Sequence, residues 1–177
     1  MIRTCTIDTP LGPMTAAALN GKLIGLWFVG QKHYPAAAQS WASQPDYPVL
    51  VNLRAWIEEY FAGKGERFDL PLEPQGTPFQ KAVWKILLQV PPGKTITYGD
   101  IARQLAAVRG VPSMSAQAVG GAIGRNPISI LIPCHRVIGA DGSLTGYAAG
   151  VDKKQALLQL EGAGRNPDAV PGSLPNR

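Results

Sequence analysis

The stretch Ile132-Pro133-Cys134-His135-Arg136-Val137 follows an apolar run, Ile128-Ser129-Ile130-Leu131. That run reads as a buried strand. Pro133 then ends the pairing, because proline has no N–H to give a sheet ladder. A strand that carries a thiol to the rim of a core presents a nucleophile. Cys134 at its reference pKa of about 8.5 would be only a few per cent thiolate at pH 7, so reaction needs a base. His135 is adjacent, but neighbouring strand side chains point to opposite faces. Contact therefore requires a bend at Pro133 or a bridging water. The imidazole in turn calls for an orienting carboxylate. Glu161 is the candidate, at the end of the amphipathic stretch 153–160 and just before Gly162. The plainer alternatives are a cysteine acting as a small buried hydrophobe and an exposed glutamate at a helix end.

Working outward, Glu73-Pro74-Gln75-Gly76-Thr77-Pro78 punctuates the chain as a linker. Thr77 and Pro78 start a helix from Phe79 to Gln89, with Phe79, Val83, Trp84, Ile86 and Leu87 inward. Thr97 caps a shorter one, Tyr98 to about Ala106, and a loop with Gly110 and Pro112 follows. Ser115 opens another, 116–124, interrupted by Gly120, Gly121 and Gly124. Each of those glycines costs roughly 0.5–1 kcal/mol against alanine in a helix interior. The face they bare serves either close helix packing or close approach to a nucleic acid. Two short helices joined by a loop favour the second reading.

Residues 1–74 predict an α/β domain with no catalytic set. Three strands form a meander, around 3–7, 14–19 and 23–28, with Asn20-Gly21 as a hairpin turn. A short helix is expected at 36–43, a longer one at 49–62 closed by Gly63, and a strand at 68–72. The fold class is thus mixed, α/β (α+β): an N-terminal domain over 1–74, a helix-turn-helix domain over 75–163 and a Pro/Gly-rich tail over 164–177. No metal or cofactor is expected, since Cys5 and His33 supply only half a tetrahedral set. With 45% hydrophobic and 16% charged residues, no signal-peptide core and no apolar run long enough for a membrane span, a cytoplasmic monomer is expected.

The net charge of +5 is uneven. Residues 1–74 hold six Lys/Arg and seven Asp/Glu, whereas 75–163 hold nine and four. The half carrying Cys134 therefore suits a polyanion such as DNA, although a modest basic surface is also explained by solvation alone.

Pro133-Cys134-His135-Arg136-Val137 after an Ile/Leu run resembles the active-site signature of the O6-alkylguanine-DNA alkyltransferases (methylated-DNA–protein-cysteine methyltransferases). The similarity includes Ala118-Val119-Gly120-Gly121-Ala122, Asn126-Pro127, the run from Asp141 to Gly150, and Leu160-Glu161-Gly162. It covers roughly 75–162, while 1–74 fits the family's variable N-terminal domain in outline. The resemblance implies irreversible transfer of an alkyl group from guanine O6 to Cys134, and leaves O4-alkylthymine open as a second substrate. His135 and Glu161 would form a proton relay through a water that makes thiolate. Asn126 would brace the site, and Tyr98 would donate its hydroxyl to the base. Gln117, Ala118 and Gly121 would meet the minor groove of double-stranded DNA. Arg136, Val137, Tyr147 and Ala148 would contact DNA or the flipped base, which must leave the duplex to be reached.

Two departures stand out. Gln117 occupies the position where the family usually has an arginine, so it brings no charge and stacks less well. The loop carrying Ala107-Val108-Arg109-Gly110-Val111-Pro112 is longer than usual, and Arg109 could return the missing charge. Weaker DNA binding or slower flipping is the expectation. Competing readings are a non-catalytic alkylated-DNA binder, a helix-turn-helix regulator and a cysteine hydrolase. The first two have no use for Cys134 beside His135, and the third needs an oxyanion hole.

Overall fold

Asn20 and Gly21 sit at φ 51° and 80°, the left-handed pair that a two-residue hairpin needs. They join β2 (Met14–Leu19) to β3 (Lys22–Phe28), with Leu19 opposite Lys22. β1 (Arg3–Ile7) pairs antiparallel with β2 on its other side. The order is β3-β2-β1-β4, where β4 (Ala42–Ser43) runs parallel to β1. Gly25 is obligatory on β3: the ring of Trp27 folds over it, and a Cβ there would lie 1.8 Å from a ring carbon.

In this computed structural model the described residues are 1–65 and 67–162, so the tail expected over 164–177 lies outside them. The chain forms two compact units, Met1–Gln75 with Pro127–Ser129, and Gly76–Asn126 with the residues from Ile130 on. In the first, α1 (Pro48–Glu59) begins on a proline, which loses no helical hydrogen bond there. It buries Val49, Leu50, Leu53 and Ile57, each worth about 1.5–3 kcal/mol of burial at most. A wider π turn, Tyr60–Lys64, follows, broken within by Gly63 at φ 82°.

In the second unit, α2 (Pro78–Leu87) starts with a reciprocal capping box: the Thr77 hydroxyl accepts from Gln80 N, and the Gln80 side chain accepts from Thr77 N. Thr97 and Asp100 repeat the device for α3 (Tyr98–Arg109). Ser115 caps α4 (Ala116–Gly124) by accepting from Ala118 N. The Trp84 indole, fully buried, donates to the Ala122 carbonyl at 2.9 Å and ties α2 to α4. A two-strand parallel pair, β5 (Ile96–Thr97) and β6 (Val137–Ile138), links the entry of α3 to the segment after Cys134. α5 (Val151–Leu160) closes the described chain.

Several sequence expectations need correction. The helix expected at 36–43 is one 3-10 turn, Ala36–Ser40, followed by β4. The strand at 68–72 reduces to a single bridge, Leu23 with Leu72. Three residues assigned to the long loop, Ala107 to Arg109, belong to α3. The helix runs on because its stop is Gly110 at φ 67°, where Gly110 and Val111 N–H close on Ala106 and Ala107 carbonyls. The apolar run 128–131 is buried but is no strand. Ile128 makes one bridge to Leu26, and Ile130 turns away at φ 71°. A short apolar run does not distinguish strand from buried turn. A β-branched residue in the left-handed region costs on the order of 1–3 kcal/mol, held here by the burial of Ile130.

Candidate active site

Cys134 does not emerge from a strand. Pro133, at φ −81° and ψ 66°, is the centre of a tight three-residue turn in which Cys134 N donates to the Ile132 carbonyl at 2.8 Å. Cys134–Arg136 then form one 3-10 turn that leads into β6. The rule that strand neighbours point to opposite faces therefore does not govern Cys134 and His135. Asn126, just past α4, donates from its side-chain amide to the same Ile132 carbonyl at 2.7 Å and also hydrogen-bonds the Cys134 side chain. The loop residue thus grips the turn at its backbone and at its sulfur.

His135 is fully buried and its Nε2 lies 2.6 Å from Glu161 Oε2. Glu161 caps the end of α5. Arg136 reaches the same carboxylate with two parallel bonds, Nε to Oε1 at 2.8 Å and Nη2 to Oε2 at 2.9 Å. Its third nitrogen donates to the Val90 carbonyl at 2.6 Å. Arg136 was expected among the DNA or base contacts. It is instead buried and committed to Glu161, because a planar guanidinium matches a carboxylate edge to edge.

The electrostatics follow from burial. Burial raises the Glu161 carboxyl, but the charge and hydrogen bonds of His135 and Arg136 outweigh it and hold it at about 2. Burial pushes the His135 imidazole below its ordinary value, and the pull of Glu161 does not restore it. The ring is therefore neutral at pH 7. An ionised carboxylate at Nε2 selects the tautomer with the proton there, which leaves Nδ1 as the basic nitrogen. Nδ1 is buried with no hydrogen-bond partner among the described residues. Burial also raises the Cys134 thiol, with relief from Asn126 and the Lys154 charge. The resting group is therefore a thiol, whose proton has to be taken as the sulfur reacts.

Tyr98, at the first turn of α3, donates its hydroxyl to the Thr145 carbonyl at 3.2 Å. Burial raises that phenol above its ordinary value. Tyr147 and Ala148 are half-buried in the loop 139–150, and Val137 is buried in β6. Lys154 escaped sequence reasoning. It sits on α5 at 0% exposure and donates to the Thr145 carbonyl at 3.0 Å and the Gly146 carbonyl at 3.5 Å. Burial lowers its ammonium to about 8, a drop that a Cys134 thiolate would oppose. In the sequence it is the second of two adjacent lysines, Lys153 and Lys154, and nothing marks it as the buried one.

On α4, Gln117, Ala118 and Gly121 are exposed, as is Arg125 at its end. A Cβ at Gly121 or Gly124 would meet nothing within 4 Å, and one at Gly120 would make ordinary contact with the Tyr98 ring. Packing inside the protein therefore does not require these glycines. The clearance at Gly121, which is exposed, faces outward. Arg109 is exposed on the last turn of α3 and lies over the Phe79 ring at 5.4 Å, rather than in the loop where it was expected. Of the nine cations in 75–163, Arg136 and Lys154 are buried, but so is the Glu161 side chain. The surface there keeps seven cations against three acids.

A thiol on a braced turn, next to a buried imidazole–carboxylate–guanidinium chain, on a unit with two helices joined by residues 110–115, defines a class: cysteine-nucleophile proteins built on a helix-turn-helix frame. The comparisons with known proteins name the family. Residues 78–163 match the model of the 6-O-methylguanine DNA methyltransferase DNA binding domain, and residues 2–74 match that family's ribonuclease-like domain. The chain is 45% identical over 161 residues to a methylated-DNA–protein-cysteine methyltransferase of Mycobacterium bovis, covering 91% of this chain and 93% of that one. It is 44% identical over 156 residues to the one of Methanosarcina acetivorans, covering 88% and 96%. Among solved structures, the O6-methylguanine methyltransferase of Mycobacterium tuberculosis aligns with TM-score 0.81 at 43% identity, over 95% of this chain and 96% of that one. The same organism's protein in complex with DNA aligns with TM-score 0.79 at 42% identity, over 95% and 96%. The chain belongs to the 6-O-methylguanine DNA methyltransferase family.

Proposed function

We propose that this protein repairs DNA by direct reversal, moving an alkyl group from guanine O6 in duplex DNA irreversibly to Cys134. The observation that carries the reading is the buried chain His135–Glu161–Arg136 beside a thiol turn braced by Asn126.

The proposed steps assign each residue of the site a task. The target base leaves the duplex, because its O6 substituent is otherwise unreachable. α4 enters the minor groove, where Ala118 and Gly121 let the backbone approach, and Gln117 stands at the gap left by the base. Tyr98 donates its hydroxyl to the base, and Tyr147 and Ala148 wall the pocket. The thiol proton passes through a water to His135 Nδ1, while Glu161, kept ionised by Arg136, stabilises the imidazolium. The sulfur attacks the alkyl carbon and a C–S bond forms. The C–O6 bond breaks with its electron pair moving into the guanine, which regains a proton. A thioether has no activated leaving group, so each molecule acts once. Residues 1–74 and 75–163 are the functional domains in this reading, and the protein works as a cytoplasmic monomer. No helix among the described residues is long and apolar enough to cross a membrane.

Incubation with a duplex oligonucleotide holding one O6-methylguanine tests the reading by intact mass. One methyl per molecule, with unmodified guanine restored in the DNA, is expected. Binding without a mass change would instead identify a non-catalytic binder of alkylated DNA, and repeated turnover would identify a hydrolase.

A further inference from the structure

An ammonium taken out of water is expensive unless something compensates it. Lys154 is fully buried, and no carboxylate pairs with it among the described residues. What it holds are two backbone carbonyls, those of Thr145 and Gly146. Thr145 and Gly146 are themselves exposed, in a stretch without regular structure. Among the described residues, the hydrogen bonds on these two come from Lys154 and from the Tyr98 hydroxyl. The Thr145 carbonyl is therefore shared: it accepts from Tyr98 at 3.2 Å and from Lys154 at 3.0 Å. Gly146, at φ 61°, brings its backbone against the same hydroxyl, which lies 3.6 Å from where a Cβ would stand.

The proposed reaction asks the Tyr98 hydroxyl to turn to the base, and so to leave Thr145. A carbonyl that lost its only donor would drift, and the pocket wall with it. We infer that Lys154 is a positioning residue that anchors the 143–148 loop through the Thr145 and Gly146 carbonyls, so that Tyr98 can exchange the loop for the incoming base without the wall moving. The inference rests on the alkyltransferase reading for the identity of the incoming group. The Lys154 charge also lowers the Cys134 thiol, so it favours the thiolate as the sulfur attacks. Its place on α5, four residues past Gly150, lets one helix present both the loop anchor and, at its end, Glu161.

The test uses the full chain with Lys154→Met and Lys154→Arg. Hydrogen exchange without DNA reads the anchor directly. In Lys154→Met the amides of 143–148 are expected to exchange at least tenfold faster, with α2 and α4 unchanged. The melting temperature is expected to stay or rise, because a buried charge without a carboxylate partner is gone. Methyl transfer at saturating oligonucleotide is expected to slow at least tenfold with DNA affinity unchanged, and Lys154→Arg recovers part of both. Unchanged exchange in the loop overturns the inference. So does a loosened loop with transfer at the wild-type rate, which would make Lys154 merely structural. Should Lys154→Met fail to fold, Lys154→Gln, which keeps a donor and drops the charge, is read by the same two measurements. A wild-type protein that accepts no methyl sinks the repair reading, while the exchange arm still decides whether Lys154 anchors the loop.

Discussion

The protein buries two cysteines, one in each unit. Cys5 on β1 is 4% exposed and Cys134 on its turn is 5% exposed. Burial raises both thiols. In exposure, and in the direction in which burial moves the thiol, the two are alike, so neither property makes a nucleophile. The surroundings differ. Cys5 lies opposite Ala16 in the sheet and feels one relieving charge, that of Arg54. Around Cys134 the second unit buries Asn126, His135, Arg136, Lys154 and the Glu161 side chain. Buried charge is costly, and a fold that assembles this much of it in one place is paying for chemistry. The first unit, whose buried polar residues among the described ones, Thr15, Gln31 and Ser129, are all neutral, supplies an internal control.

The sharpest way to break this contrast is to exchange the roles of the two thiols. Cys134→Ala is expected to abolish methyl acceptance, and Cys5→Ala to keep one methyl per molecule, mapped by peptide mass to the Cys134 segment. A methyl found on Cys5 would end the distinction.

Next in size is Glu161→Gln. It removes the group that fixes the His135 tautomer, so single-turnover transfer should fall by roughly 10²–10⁴-fold, the usual worth of a general base. It also strands the Arg136 guanidinium, at a cost of about 3–5 kcal/mol in urea unfolding. The acid limb gives an independent check. The folded Glu161 carboxyl lies at about 2, below its ordinary 4.5. A depressed folded value means stability present above pH 4.5 and lost as pH falls toward 2. The wild type should lose about 3 kcal/mol over that window through this group, and Glu161→Gln should not.

Gly121→Ala has a smaller effect with two opposite signs. No atom lies near the added methyl, so the folded protein should gain up to about 1 kcal/mol of helix propensity and melt higher. DNA affinity should fall about tenfold as the bare face is filled. Lower stability instead would mean that the glycines serve internal packing after all. The smallest change is expected from Gln117→Arg, a few-fold gain in DNA affinity with a salt slope steeper by about one. Titrations at two salt concentrations measure it, and unchanged affinity and repair rate would show that the missing arginine costs nothing.

What could be read beforehand had short-range causes. Asn20-Gly21 dictated a hairpin, and Thr77-Pro78 and Thr97 dictated helix starts. Where the reading failed, the cause was long-range. The run 128–131 looked like a strand because hydrophobicity records burial, not pairing, and the left-handed turn at Ile130 leaves no mark in the residue type. Arg136 looked like a DNA contact because an arginine beside an active-site motif faces outward by default. Its partner, Glu161, is 25 residues away.

Composition and motif by themselves determined the chemistry this chain carries: a thiol, an imidazole next to it, a distant glutamate and a glycine-rich helix in a basic half. The tertiary structure alone decided which charges go inside, and so that the thiol rests protonated, that Arg136 serves Glu161, and that Lys154 holds a loop. The physical reason is that side-chain identity fixes what a group can donate or accept, whereas its protonation and its partners depend on the dielectric and neighbours that only folding supplies.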